Sequence, residues 1–318
     1  MRIHISTPSR LHFGIIDMRG DLGRIHGSVG VSIKKPRLEI DFEESEETMI
    51  SGARSNRAFE IVEQLSKTYG VESGVSINIH EDIPEHSGFG SGTQLALAIG
   101  TALNRIFDLG LSIEDIAVSL KRSRVSGIGT RGFQTGGFIV DGGHSIDNRD
   151  LVPPIIYRQD FPESWKLIIC VPEVEKGFSG EQEQNAFKVL EAPPAETIAS
   201  VSRIVLLQMI PAIIEKDIEL FGDAITKLDT LFGDYWQKIQ GGTYSHPRIE
   251  ECVNHLLEMG AYGAGQSSWG PALYGLADRE SQAKKLLNEM NRFLNEDGNI
   301  GSAFITKADN HGSVITKS

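Results

Sequence analysis

Cysteine is nearly absent from this chain. The 318 residues hold two, Cys170 and Cys252, and neither belongs to a CxxC pair or a Cys/His run. A disulfide scaffold is excluded, and His144, His246, His255 and His311 show no spacing that would hold zinc. Reduced, buried thiols are the expectation. Positive charge is also scarce: 31 Lys+Arg stand against 43 Asp+Glu, a formal net charge of −12. An overall field of that sign repels polyanions, so anions are expected only in local pockets and nucleic acid is not an expected partner. No segment reaches eighteen uninterrupted apolar residues, and the alternating start MRIHISTPSRLHF lacks the apolar centre of a signal peptide. These absences predict a cytoplasmic protein without a membrane partner.

What remains is an ordinary globular composition, 40% hydrophobic and 23% charged, with 34 glycines. The length exceeds one compact domain, so two are expected, residues 1–154 and 155–318, parted near Pro153 and Pro154. Strands are predicted at Ile3–Ser6 and Val31–Phe42, with a glycine-rich loop from Gly14 to Gly30 between them. Adjacent carboxylates at Glu43, Glu44, Glu46 and Glu47 read as a solvated hairpin tip. Ser55 opens a helix that Gly70 caps, and Gly74–His80 alternates as a strand. Leu95, Ile99, Leu103 and Ile106 keep helical spacing, and Ser112 with Asp115 starts the next helix, which ends on Lys121, Arg122 and Arg124. In the second half, helices are expected over 198–214, 218–240 and 247–259, with Pro211 kinking the first. The order strand, helices, hairpin, helix, strand predicts a split βαβ domain, so the fold class is α+β.

Three glycine-rich stretches carry the chemistry. HSGFGSGTQ, from His86 to Gln94, feeds a helix N-terminus, where free amides and the helix dipole suit a phosphate. It fits neither the Walker nor the dinucleotide spacing, and a packing turn is the bland alternative. The others are SGIGTRGFQTGGFIVDGGH, from Ser126 to His144, and MGAYGAGQSSWGPALYGLA, from Met259 to Ala277.

Taken with TPSRLHFGIID at the N-terminus, PEHSGFGSGTQ and GAYGAGQSS, in that order, resemble the three motifs of the GHMP kinases, a superfamily that includes galactokinase and the homoserine, mevalonate and phosphomevalonate kinases. The likeness implies a two-domain GHMP-kinase-like fold with a ferredoxin-like C-terminal domain and a ligand cleft between domains. Several of those kinases carry a catalytic aspartate in the middle glycine-rich segment, where this chain has Arg131, Phe133 and Gln134. PSRLHFGIIDMRGDLGRIHGSVGV, SGFGSGTQLALAIGTAL, SGIGTRGFQTGGFIVDGG and GQSSWGPALYGL together are similar to the β-ribofuranosylaminobenzene 5'-phosphate synthases of methanopterin biosynthesis, built on the same scaffold. That resemblance implies condensation of phosphoribosyl pyrophosphate with 4-aminobenzoate or 4-hydroxybenzoate, loss of CO2 and pyrophosphate, a magnesium ion, and a homodimer.

Such a reaction deprotonates no alcohol at phosphorus, which accounts for the missing aspartate. It does require positioning and stabilisation of the leaving pyrophosphate. Asp17, at a strand end, is the expected magnesium ligand, with Asp21 second; the alternative is an aspartate capping a turn. Arg24 offers a bidentate fork to phosphate or carboxylate, unless it is a surface arginine. Ser87, Gly88, Gly90, Ser91, Gly92 and Thr93 are expected around a phosphate. Arg131 and Gln134 are expected to orient the aromatic acid or the leaving group, or else Arg131 pairs with surface carboxylates. Gly263, Gly265, Gln266, Ser267 and Ser268 would approach from the second domain, or form only a tight hairpin. His12 reads as a core histidine, His86 as a neighbour of the phosphate loop, and Trp269 as either a stacking platform or an anchor. The position of His26 is commonly acidic in the family it resembles. A small-molecule kinase, and a sensor that kept the cleft without chemistry, are the rival readings.

Overall fold

The computed structural model describes residues 1–175 and 191–317. Strands β1 (Arg2–Asp17) and β2 (Arg24–Ser45) form a long antiparallel pair whose register shifts between Pro8 and Ser9 and between His12 and Gly14. The expected glycine loop is therefore shorter than read, only 18–23. The glycines before and after it lie in strands, where alternation of apolar residues outweighed composition. Strand β3 (Met49–Gly52) and helix α1 (Ser55–Tyr69) lead to β4 (Gly74–Glu81), then to helices α2 (Ser91–Ile106), α3 (Ile113–Ser119) and α4 (Ile128–Thr135). Helix α4 lies inside the middle glycine-rich stretch, which the sequence reading left without a helix. Strands β5 (Phe138–Asp141), β6 (His144–Ser145) and β7 (Ile155–Gln159) complete the first half.

Helix α2 is buried nearly all round, which its Leu95-Ala-Leu-Ala-Ile99 run explains. It can lie so close to α3 because Gly100 has no side chain: a Cβ there would sit 2.2 Å from Ile116 Cγ2. Ser112 and Asp115 form the expected capping box at the start of α3.

The second half contains β8 (Lys166–Pro172), helix α5 (Ala195–Glu215), helix α6 (Ile218–Gln240), helix α7 (Pro247–Glu258), β9 (Ala264–Gln266), β10 (Leu273–Ala277), helix α8 (Glu280–Leu294), β11 (Gly301–Thr306) and β12 (Val314–Lys317). Pro211 is accommodated by a π-helical turn over Val205–Met209, just ahead of it, which re-routes the bond its missing N–H cannot make. By length and composition alone α5 could cross a membrane. One face of it, Val201, Val205, Met209, Ala212 and Ile213, nevertheless joins the main core.

The smaller sheet runs β11-β8-β10-β9, antiparallel throughout. With α7 and α8 on one face, this is the ferredoxin-like order anticipated for a split βαβ unit. Strand β8 is buried on both sides, which its Leu-Ile-Ile-Cys run predicts. Ile168 and Cys170 face α7 and α8, whereas Leu167 and Ile169 face the main core. Phe221 of α6 fills the space between the sheets, edge-on to Phe13, Phe138 and Phe161 and tilted against Trp165. The larger sheet also draws on late sequence: β7 pairs with β5, and β12 pairs with β1 from Ile3↔Lys317 to Ser6↔Val314.

Candidate active site

A cavity of about 670 Å³ opens where β1, the N-terminus of α2, the α3–α4 loop, α6 and the β9–β10 hairpin meet. Its two ends differ in chemistry.

One end is cationic. Gly90 adopts φ 77° and starts α2; its carbonyl takes the Thr93 amide at 3.1 Å, so the amides of Ser91 and Gly92 are the ones with no carbonyl to reach inside the helix. Arg10 of β1 lies flat against it, its Cγ 3.2 Å from where a Cβ of residue 90 would stand. Its Nη1 donates to the Gly88 carbonyl. Arg122 comes from the α3–α4 loop, its Nη1 3.5 Å from the position of a Cβ on Gly92. Its Nε is buried with no hydrogen-bond partner among the described residues. Burial first, then Arg57, holds its pKa below the ordinary arginine value. A guanidinium in that state gains most from an arriving anion. Lys121, Arg124 and Arg149 complete this end.

The other end is aromatic. Trp236 of α6 and Trp269 of the hairpin meet edge to face at 4.5 Å, and Phe232, Tyr235 and Met18 pack around them. His12 and His26 also line the cavity, both nearly buried. Burial, helped by Arg10, pushes His12 down to about 3, and burial with His144 and Arg149 pushes His26 to about 4. Both rings are neutral at physiological pH. Asp229 of α6 also reaches the lining, its Oδ1 accepting from the Gln266 amide at 3.1 Å. Burial raises its pKa to about 7, against the nearby Tyr244 hydroxyl and the Gln266 backbone amide, which favour the charged form.

The residues expected from sequence are distributed unevenly around this cavity. Thr93 lines it, Gly92 is half-buried beside Arg122, and Ser91 is nearly buried. Ser87 and Gly88 form a seam between the lobes. The Ser87 carbonyl accepts from Ala272 N–H at 3.2 Å, and Ser267 Oγ donates to the Gly88 carbonyl at 2.7 Å while accepting from His12 N–H at 3.0 Å. Ser267 is therefore a latch with no exposure. Gln266 borders the cavity, yet its side-chain Nε2 is spent on Ser245 Oγ and on the Gly270 carbonyl. Gly265 leaves room for a neighbour: a Cβ would meet Asp229 Cγ and Tyr274 Oη, each at 2.7 Å. Gly263 makes a similar approach to Gly222, and Ser268 lines the cavity. His86 is exposed.

Asp17, Arg24, Arg131 and Gln134 are not in the lining. Asp17 caps the turn after β1, its Oδ1 accepting from the amides of Arg19 at 2.6 Å and Gly20 at 3.1 Å. Asp21 pairs with Arg19 at the surface. Arg24 spends its guanidinium on the carbonyls of Gly142 and Gly143, at 2.7 and 2.6 Å. Arg131 pairs with Glu114 and donates to the Pro153 carbonyl, with Gln134 bonded to both Arg131 and Glu114. In each case a nearby backbone or carboxylate took the group that sequence reading assigned to ligand. Asp17 still borders the site, since it stands opposite His26 in the β1–β2 register and precedes Met18.

No group of three or more His, Cys, Asp or Glu side chains converges as a metal site among the described residues. The carboxylates in the lining are Asp229, held by neutral partners, and exposed Asp150. This donor set does not fit a magnesium ion held by the protein itself.

The sequence matches the GHMP kinases N terminal domain over residues 56–133 and the GHMP kinases C terminal domain over 209–296. It is 34% identical over 296 residues to the β-ribofuranosylphenol 5'-phosphate synthase of Methanothermobacter thermautotrophicus, covering 87% of this chain and 89% of that protein. It is 33% identical to the protein of the same name from Archaeoglobus fulgidus, covering 98% and 99%. The chain belongs to the β-ribofuranosylphenol 5'-phosphate synthase family. The fold is that of the GHMP kinases, as a homoserine kinase from Cytophaga hutchinsonii illustrates, with TM-score 0.69 at 15% identity over 99% of this chain and 97% of that one. This synthase family is accordingly an enzyme family of the GHMP superfamily.

For a member of this synthase family, sequence reading missed Arg10, Arg122 and Asp229. Arg10 stood in the quoted Pro-Ser-Arg motif, and Arg122 in a basic run that reads equally well as a helix C-terminus. Asp229 had one signal: it interrupts the apolar face Ile225, Leu228, Phe232 and Trp236 of α6.

Asp229 also predicts a pH effect on stability. Its native pKa lies near 7, above the ordinary 3.8, so the folded state binds the extra proton. Stability is therefore greatest below the ordinary value, falls as pH rises through the window between the two, and carries a constant penalty above about 7. Asp229→Asn keeps an acceptor for the Gln266 amide and removes the penalty. The variant should melt higher than wild type near pH 8, with the gap narrowing as pH falls below about 7 and closing only near pH 4. A gap independent of pH would show that Asp229 titrates normally.

Proposed function

We propose that the protein transfers the phosphoribosyl group of phosphoribosyl pyrophosphate to the carboxylate-bearing ring carbon of a para-substituted benzoate, with loss of pyrophosphate and CO2. One observation carries this reading: a single cavity is cationic at one end, where α2 begins, and aromatic at the other, where Trp236 and Trp269 meet. A phosphorylated sugar and a benzene ring need those two surfaces. The curated relatives are named for a ribofuranosylphenol product, which favours 4-hydroxybenzoate over 4-aminobenzoate here.

Arg10, Arg122 and the Gly92 amide would take the charge that develops on pyrophosphate as its bond to C1 of ribose breaks. The electron-deficient sugar is then attacked by the ring carbon para to the hydroxyl, and the carboxylate leaves as CO2, restoring aromaticity. Neutral His12 and His26 suit such a cavity, because a second positive charge beside the ribosyl cation would raise the barrier. Magnesium belongs to this proposal only as an ion that enters on the oxygens of the diphosphate.

With magnesium, phosphoribosyl pyrophosphate and carboxyl-labelled 4-hydroxybenzoate, the purified protein should release labelled CO2 and pyrophosphate in equal amounts. No release with either benzoate, together with ATP consumption dependent on a small alcohol, would replace this reading by that of a kinase.

A further inference from the structure

We infer that the Asp229 carboxylate takes the proton of the acceptor's para hydroxyl, so that the ring attacks the sugar as a phenolate. This assignment rests on the transfer reaction proposed above and adds its general base. Asp229, Phe232, Gly233 and Trp236 follow the i, i+3, i+4, i+7 spacing of one face of α6, and all four line the cavity. Asp229 thus shares its helix face with the aromatic wall, where an acceptor ring would lie.

The surroundings of Asp229 are built for a ligand more than for stability. Its side chain is 8% exposed. Oδ1 accepts from the Gln266 amide at 3.1 Å, and Oδ2 is buried with no hydrogen-bond partner among the described residues. The groups that face it are Tyr244 from the turn after α6 and Tyr274 from β10. The Tyr274 hydroxyl is buried and also has no hydrogen-bond partner among the described residues. Such a carboxylate costs stability unless something uses it. The backbone is arranged to admit it, since Gly265 leaves its Cβ position to Asp229 and Tyr274, and Gly233 lets Thr243 close over α6 with its carbonyl 2.1 Å from where a Cβ would be.

The protons and electrons balance without another reactant. Asp229 accepts the hydroxyl proton, and the phenolate electron pair flows through the ring to form the new carbon–carbon bond. The C1–oxygen bond of the donor breaks, and its pair leaves on pyrophosphate. The bond to the carboxylate then breaks and its pair returns through the ring to the para oxygen, which takes the proton back as CO2 departs. A para amino group donates its own lone pair, so 4-aminobenzoate needs no such base for attack.

The test compares wild type with Asp229→Asn on both acceptors and records the ultraviolet difference spectrum of bound 4-hydroxybenzoate. Wild type should develop the phenolate band on binding and Asp229→Asn should not. The variant's kcat with 4-hydroxybenzoate should fall by about 10²- to 10⁴-fold with KM changed far less, and Asp229→Glu should recover part of it. The rate with 4-aminobenzoate should fall by less than about tenfold, within the range of lost packing alone. Equal loss with both acceptors, loss with neither, or absence of the band in wild type overturns the assignment. Wild type that releases CO2 from neither acceptor overturns the transfer reading, and this assignment with it.

Discussion

Arg122→Glu should remove ribosyl transfer while leaving the fold at least as stable. Loss of a hydrogen bond to a charged group costs about 1.5–3 kcal/mol, so Arg122→Ala alone should lower kcat/KM for phosphoribosyl pyrophosphate by roughly ten- to a hundredfold. Charge reversal adds repulsion in a site shielded from water and should carry the loss beyond about 10³-fold. Stability should not suffer, because in the free protein Arg122 is desolvated, stands near Arg57 and has an Nε without a partner among the described residues. Melting curves check both halves at once. Phosphoribosyl pyrophosphate should raise the melting temperature of wild type and leave that of Arg122→Glu unchanged. Equal stabilisation of the two proteins would remove Arg122 from the anion site.

Gly270→Ala should act at a distance from any ligand, by driving the lobes apart. A Cβ on residue 270 would lie 2.1 Å from the Gly88 nitrogen and 2.2 Å from the Ser87 carbonyl carbon. These are backbone atoms of the loop that leads into α2, so no side chain can swing away. The loop must move, and with it go the Ala272–Ser87 and Ser267–Gly88 bonds. Overpacking of this kind costs about 1–3 kcal/mol, and two lost bonds add about 1 kcal/mol each. The α2 amides would also shift relative to Trp269, so turnover should fall by more than about tenfold, as small misplacements of reacting groups do. Ser267→Ala is the milder comparison: it removes the latch without a wedge and should keep most activity. A Gly270→Ala protein with wild-type melting and turnover would mean that the two lobes do not meet as described.

Much of the fold was legible because it is written in periodicity. The split βαβ order followed from the succession of helical and alternating segments, and the burial of β8 from its Leu-Ile-Ile-Cys run. Helix α4 was hidden because Gly127, Gly129 and Gly132 argue against a helix locally. The interior favours it, since a Cβ on Gly132 would meet Ser32 Oγ at 2.4 Å, so glycine lets α4 lie close on β2.

The site was legible in outline and misread in detail for a related reason. The glycine motifs marked where the lobes meet, but several of those glycines are there for close packing, as Gly88 and Gly270 show. Charged residues beside them were assigned to ligand by proximity in sequence. Arg24 and Arg131 instead found carbonyls and Glu114 within reach, whereas Arg10 and Arg122, 112 positions apart in the chain, were brought to one helix end by β1 and the α3–α4 loop. Sequence spacing carries no trace of that meeting.

The most direct measurement is a crystal structure with phosphoribosyl pyrophosphate and 4-hydroxybenzamide, an acceptor analogue that has no carboxylate to lose. The diphosphate should lie within hydrogen-bond distance of Arg122 and the Gly92 amide, with the ring against Trp236 and Trp269 and its hydroxyl on Asp229. A ring bound outside this cavity, or a diphosphate bound away from the start of α2, would contradict the account.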